Sequence, residues 1–547
     1  MYLTMFKNPD ISLINLSLKR FIFTVFISVI ITDIGFAIPA SFNIKDYGAK
    51  GDGTTLNTKF IQSAIDACAK AGGGTVSFPS GRFISGTIFL KSNVTLCLEP
   101  GAILEGSKKI EDYPLTISKI RNYTDNYTNK SLIYGEELEN IAITGLGTID
   151  GNGASFKIKD EMWEKARVDS SILFETYKAR PYIIRIINCR NILVRDITIL
   201  NSPMWVQHYL ACEDLNIEGI TVNSRVNNNN DGIDIDACNR VRISNCDIIS
   251  GDDAVVLKAT TDRPCQNVTV TNCNISSNCN GFKLGTESNG GFKNITFSNS
   301  TIYDNRLGAI EIQMVDGGSN ERVSISNITM NNVGAAIFIR LGNRARPFKK
   351  DMPKPGMGKL SDVIISNVQA YDVGNIGCSI TGLPSFPVKN VTLENIRITF
   401  KGGGKKELAA IEVPEHPQKY PGFAMFGRLP SYGFFCRHVE NLTFNDVELN
   451  FTDPDERPAI ICDDVDGLEF YKIKTMFSGK EPSLKFSNVK NALIQSCIAP
   501  EGIDTYLNFK GIKSKHITII GNDLSGAKNA IKAEDGIEVY QDANRLK

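Results

Sequence analysis

The chain carries no net charge, its 60 Lys and Arg residues being matched by 60 Asp and Glu. That balance gives no general attraction to nucleic acid or to an anionic membrane surface, so an anionic substrate has to be met by a local cluster. The thirteen Cys, an odd number, contain no paired C-x-x-C zinc spacing. Most sit at strand-like positions (Cys238, Cys246, Cys273, Cys462), which reads as buried thiols in preference to a disulfide framework. Histidine is scarce, and His416, His438 and His516 have no constellation around them in the sequence. Long apolar runs are also missing, apart from the stretch from Phe21 to Ile31. That run is shorter than the roughly 20 residues needed to span a bilayer, and Asp33 interrupts its extension. With Lys19-Arg20 before it and small residues at Gly35, Ala37 and Ala40 after it, residues 1–40 are expected to be an export signal. The mature chain is expected to be secreted or periplasmic, with no membrane attachment.

Helical periodicity is confined to one place. Phe60, Ile61, Ala64, Ile65 and Cys68 recur at helical spacing between Asn57 or Thr58, either of which could cap the start, and the stop signal Gly72-Gly73-Gly74. From Thr75 the apolar residues alternate. A polar residue followed by alternating apolar ones then recurs at Asn140, Asn191, Asp214, Arg240, Asn267, Asn294, Arg322, Asp362, Asn390, Asn441, Asn491 and His516, mostly about 23 to 28 residues apart. This is a solenoid period, and two or three short strands per repeat with almost no helix between them predict an all-β parallel β-helix with the first helix as its N-terminal cap. One such body is expected over 41–547. Long loops are expected near 342–358 and 402–437, the second rich in Pro and aromatics and suited to walling a groove.

Stacking the repeats by their alternation fixes the outward columns. With Ile233/Ile235, Val255/Leu257, Phe282/Leu284, Ile310/Ile312 and Ile337/Ile339 taken as inward pairs, one outward column is Asp234, Val256, Lys283, Glu311, Phe338. The next is Asp236, Lys258, Gly285, Gln313, Arg340, and Asp231 and Asp253 share a rung with Asp252 one residue earlier. Carboxylates this close raise the pKa of at least one of them or share a proton or water. Asp-Gly and Gly-Asp-Asp are also ordinary turn residues. A groove with acids at one end and cations alongside suits glycoside hydrolysis, one carboxyl protonating the leaving oxygen and another carboxylate activating water. Asp231, Asp234, Asp236 and Asp253 would alternatively offer oxygens to calcium, as in an eliminating lyase.

The stretch Asn229-Asn-Asp231-Gly-Ile-Asp234, followed by Gly251-Asp252-Asp253, resembles the Asn-Thr-Asp and Gly-Asp-Asp motifs of glycoside hydrolase family 28, the polygalacturonase and rhamnogalacturonan hydrolase family. Further matching text is Asn201-Ser-Pro-Met-Trp-Val-Gln-His208, Leu284-Gly-Thr-Glu287 and the opening Asp46-Tyr-Gly-Ala-Lys-Gly-Asp-Gly-Thr. The resemblance implies a right-handed, single-stranded parallel β-helix and inverting hydrolysis of α-galacturonosyl bonds in pectin, without metal or other cofactor. It makes Asp252 the general acid, with Asp231 and Asp253 orienting and activating water.

The chain departs from the family pattern in two places. Where Gly-His-Gly is expected it has Asn278-Cys279-Asn280-Gly281, with Asn280 or Cys279 in place of the histidine. Where an Arg-Ile-Lys triplet grips the substrate carboxylate it has Ala309-Ile310-Glu311, with Gln313 beyond. A negative Glu311 would repel a galacturonate bound there, which points to rhamnogalacturonan or another decorated pectic fragment as substrate, exo-cleavage of homogalacturonan being the alternative. Lys258, Lys283 and Arg340 would supply positive charge, and Asn280, Glu287, Glu311, Gln313 and His208 complete the expected substrate contacts. A calcium-dependent pectic lyase or a non-catalytic polysaccharide-binding β-helix would use the same scaffold. The stacked core suffices for a monomer.

Overall fold

A computed structural model describes residues 41–547 apart from Arg121. The export signal expected over residues 1–40 lies outside the described residues. Strands pair in parallel, coil upon coil, into one continuous sheet that forms a parallel β-helix. Its local cause is the recurring polar residue. All twelve, from Asn140 to His516, adopt left-handed backbone with φ between 52° and 60°, a conformation that Asn and Asp enter most readily among residues with a Cβ. Each left-handed residue turns a corner, and the apolar alternation that follows points inward: Ile141 and Ile143, Ile192 and Val194, Leu215 and Ile217 are all buried.

The helix α1 (Thr58–Lys70) buries Ile61, Ala64, Ile65 and Cys68 against the first coils. It covers apolar edges that would otherwise face water at the open end of the solenoid. Asn57 does not cap it. Its side chain accepts from the Lys50 amide at 2.7 Å and donates to the Lys50 and Thr55 carbonyls, closing the preceding turn instead. Two helices that the periodicity does not announce follow in one insertion, α2 (Asp160–Val168) and α3 (Ser170–Lys178). Their local signals are slight: Asp160 and Glu161 stand in the first turn of α2, and Asp169 accepts from the Ser171 amide at 2.8 Å as N-cap of α3.

Seven strands carry the central columns: β1 (Tyr182–Ile187), β2 (Gln207–Leu210), β3 (Ile233–Asp236), β4 (Val255–Ala259), β5 (Phe282–Ser288), β6 (Phe292–Met314) and β7 (Ser319–Leu341). The paired positions run Arg185, His208, Asp234, Val256, Lys283, Glu311, Phe338, as the alternation requires. All five inward pairs are fully buried. The neighbouring column is broken. Asp236 pairs with Lys258, but β5 then bulges, with Leu257 opposite Leu284 and Ala259 opposite Ser288. Gly285 therefore does not continue the column as expected; the extra residues turn Glu287 toward Lys258.

Residues 343–358 and 403–433 leave the coils, the second segment holding only a 3₁₀ turn, Lys406–Ala410. Buried cations fasten this second segment. Arg457 donates to the Leu429 and Ser431 carbonyls, Arg437 to the Val413 carbonyl, and Arg340 to the Glu415 carbonyl. His438 lies between Glu415 at 3.0 Å and Asp464 at 2.7 Å, a constellation that only the folded chain assembles. No helix among the described residues is long and apolar enough to cross a membrane.

Candidate active site

Asp231 and Asp253 stand at the entries of β3 and β4, where the amide of Gly232 donates to the Asp253 carbonyl at 2.8 Å and locks the two coils in register. Asp253 is the better held. One carboxylate oxygen accepts from Asn280 Nδ2 at 2.6 Å and the other from Lys283 Nζ at 2.8 Å. Burial works to raise its pKa, but the positive charges of Lys283 and Lys258 outweigh this and keep it below the usual carboxylate range. Asp252, its sequence neighbour, moves the other way, because burial and the negative Asp253 both disfavour its charge. Asp231 is pushed well up, by burial first and then by Asp234 and Asp252, and its Oδ1 is buried without a hydrogen-bond partner. The cluster thus pairs a carboxylate held ionised with a carboxyl inclined to keep its proton.

Lys258 is the central cation. Its ammonium lies 3.4 Å from Glu287, 3.5 Å from Asp234 and 3.8 Å from Asp231, and 4.6 Å above the ring of Trp205. This position lies among the acids considered for calcium, and Asp236 is turned away from them. Asp236 accepts from the Thr260 amide and hydroxyl at 2.8 and 2.6 Å and meets His208 Nε2 at 3.2 Å. The four acids therefore do not converge on one cation position.

A cavity of about 330 Å³ opens over the cluster. Its floor is Asp231, Asp252, Asp253, Lys258, Lys283 and Glu287, and its walls come from four insertions. Tyr123 and Tyr127 precede β1, Phe174 and Tyr177 belong to α3, Arg344 and Arg346 to the segment after β7, and Tyr420 to the 403–433 segment. Tyr127 donates to Glu287 at 3.2 Å, while Arg346 reaches Glu287 at 3.5 Å and is itself held by Asp316. Arg344 differs from the other cations. Its guanidinium lies over Tyr420, 5.1 Å from the ring centre, and its buried Nη1 has no hydrogen-bond partner.

Of the residues expected at the substrate, Lys258, Lys283 and Glu287 line this cavity. Asn280 acts one step back, bridging Asp253 and the Gly308 amide. His208 does not reach the cavity: it is fully buried behind Trp205 and bonded to Asp236, and burial lowers its pKa. Glu311, Gln313 and Arg340 do not line this cavity, because the 403–433 segment folds over their column. Glu311 accepts from Gln313 Nε2 at 2.5 Å and from the Phe423 amide at 3.2 Å. Arg340 is spent on the Gly382 and Glu415 carbonyls and stacks on Phe426. The cations expected to meet the substrate, Lys258, Lys283 and Arg340, are buried and paired with protein groups, and Arg344, with an unpaired Nη1, lies in an insertion whose sequence has no period to read.

The family model of glycosyl hydrolases family 28 matches residues 68–418. Among curated relatives, a probable polygalacturonase of Vitis vinifera is 35% identical over 234 residues, covering 41% of this chain and 45% of that one. An exo-poly-alpha-D-galacturonosidase of Dickeya chrysanthemi is 33% identical over 256 residues, covering 40% and 42%. The chain thus spans less than half the length of these two relatives. Among solved structures, the hyperthermoactive exopolygalacturonase of Thermotoga maritima superposes with a TM-score of 0.58 at 22% identity, over 75% of this chain and 92% of the other. The family 28 exopolygalacturonase of Yersinia enterocolitica gives 0.55 at 24%, over 83% and 78%. These two share the parallel β-helix. With the family model running from the capping helix through the acidic coils into the segment that carries Tyr420, the chain belongs to glycosyl hydrolases family 28.

Proposed function

We propose that the protein hydrolyses α-galacturonosyl bonds at the ends of pectic chains, with Asp252 as general acid, Asp253 as the base that deprotonates the attacking water and Asp231 as the residue that orients that water. The observation that carries this is the split between neighbours: Asp252 biased toward its protonated form beside an Asp253 held ionised by Lys283. Asp252 gives its proton to the glycosidic oxygen as the bond to C1 breaks, and water adds to C1 while losing its own proton to the Asp253 carboxylate. Oxygens of Asp252 and Asp253 come within 4.8 Å of one another. That is closer than the roughly 6.5–9.5 Å common between acid and base in inverting enzymes, so the water belongs beside Asp231 and Asp253, not between Asp252 and Asp253.

Arg344 supports galacturonate as the sugar bound in the cavity, since a free guanidinium edge in a largely buried site is suited to a carboxylate. A cavity of about 330 Å³ ringed by residues of α3, Tyr123, Arg344, Arg346 and Tyr420 favours a chain end over a long stretch of polymer, which supports exo action. Rhamnogalacturonan fragments are the favoured backbone, because the Arg-Ile-Lys cations that would hold a second galacturonate are replaced by Ala309-Ile310-Glu311. Mass analysis of products from pectic oligosaccharides, with anomeric configuration followed by NMR, tests this reading. Released monomeric galacturonic acid with inverted configuration is the expected result. An unsaturated, ultraviolet-absorbing product whose formation a chelator stops would make the protein a lyase, and binding without new chain ends would make it a carbohydrate-binding module.

A further inference from the structure

A second cavity of about 270 Å³ adjoins the first beneath the residues 420–425, sharing Tyr420 with it. Its chemistry is the opposite. Leu307, Phe423 and Met425 give it apolar walls, no Lys or Arg lines it, and the one carboxyl at its floor is the buried Glu311, which burial inclines to keep its proton. The two cavities meet at the catalytic acids, because Cys279, a wall of the second, holds its thiol within 4.8 Å of oxygens of Asp252 and Asp253. A sugar in the first cavity with its C1 facing the acids therefore directs its leaving group past Asp252 toward the second.

We propose that this second cavity receives the leaving sugar and selects a unit with no charge at C6, so that a 6-deoxy sugar or a methyl-esterified galacturonate is accepted and a free galacturonate is rejected. The proposal rests on the galacturonosidase reading above. Its determinant is the absence of charge, not the identity of rhamnose. A carboxylate placed here would lose its hydration among Leu307, Phe423 and Met425 with no Lys or Arg in the lining to replace it, the nearby Lys283 being paired to Asp253. A methyl or methoxy group in the same place gives up no strong hydration and fills apolar space. The segment that carries Phe423 is fixed by the hydrogen bond from the Phe423 amide to Glu311, so the wall and the floor carboxyl are one structural unit.

Three substrates with the same non-reducing galacturonosyl unit separate the possibilities: digalacturonate, its methyl ester on the reducing unit, and α-galacturonosyl-rhamnose. The expected result is a kcat/KM for both uncharged acceptors at least about tenfold above that for digalacturonate, the discrimination one misplaced group commonly gives. Ala424→Lys, at an exposed position on the rim, and Leu307→Lys, at a half-exposed wall, each place a cation in the cavity. Both should narrow that ratio by raising turnover of digalacturonate. Equal cleavage of all three substrates, or a ratio that neither lysine changes, would overturn the proposal and leave the galacturonosidase reading standing. A preference for the rhamnose compound over the methyl ester as large as over digalacturonate would also overturn it, because shape and not charge would then decide. If none of the three is cleaved, both readings fall together.

Discussion

The same stacking geometry produces opposite outcomes on two faces of this solenoid. On the outer corner, the left-handed residues of successive coils sit one above another and bond along the column. Asn191 donates to Asn140 at 2.7 Å, Asn294 to Asn267 at 2.8 Å, Asn390 to Asp362 at 2.8 Å and Asn441 to Asn390 at 2.9 Å. An amide has both a donor and an acceptor, so each rung satisfies the next and the column can be repeated indefinitely. At the entries of β3 and β4 the stacked residues are the carboxylates Asp231 and Asp253, which offer only acceptors when ionised. They cannot satisfy each other, and the coil has to bring in Lys258, Lys283 and Asn280 from neighbouring positions. Stacking is neutral to function; the donor count of the stacked group decides whether a column becomes scaffold or site.

The sharpest way to break the contrast is to remove the acid while keeping its shape. Asp252→Asn is expected to lower kcat by about three orders of magnitude with melting temperature nearly unchanged, as measured by reducing-end assay and calorimetry. Lys283→Met strikes the compensation itself. It leaves Asp253 buried without its cation, with an expected loss of about 3–5 kcal/mol in denaturant unfolding and an acid limb of the kcat/KM profile displaced to higher pH.

Glu311 supplies an intermediate case, since burial raises its pKa to about 7 against the negative charge it would carry. Between the ordinary glutamate range and pH 7 the unfolded chain has lost this proton and the folded one keeps it, so stability falls as pH rises through that window. Glu311→Gln should flatten the fall, gaining on the wild type at pH 8 and not at pH 4, in urea unfolding at the two pH values. The smallest effect belongs to the amide column. Asn267→Ala should cost about 1–2 kcal/mol, part from two lost side-chain bonds and part from forcing alanine to φ 56°, with kcat unaltered. Asn267→Gly should recover the second part, which a column held by bonds alone would not show.

Those two faces also mark what could be read in advance. The amide column and the inward pairs are legible because both follow a fixed repeat, and an alternation of period two leaves one answer for which side a residue faces. The alternation predicts that Lys283 and Glu311 share an outward column, and they do. It says nothing of what lies outside that column. The Phe423 amide and the Phe426 ring bury Glu311 and Arg340, so residues read as a groove surface become the footing of a wall. The β5 bulge escapes for a related reason: Gly285, with φ 97°, permits extra residues without disturbing the apolar pattern on either side. Tyr127, Arg344 and Tyr420 sit in aperiodic segments, where side-chain placement depends on contacts up to about 160 residues away, as with Tyr127 and Glu287.

The aromatic and cationic walls of the pocket come mainly from insertions between coils, and this separates two kinds of change. Register on either side of each insertion is carried by the coils alone: Tyr182 still pairs with Ser131 across α2 and α3, and Ser379 with Phe338 across the segment bearing Arg344. An insertion can therefore lengthen, shorten or exchange its aromatic and cationic residues without moving Asp231, Asp252 or Asp253. On this scaffold the pocket walls can be rewritten loop by loop while the acids stay under an unchanged positional constraint.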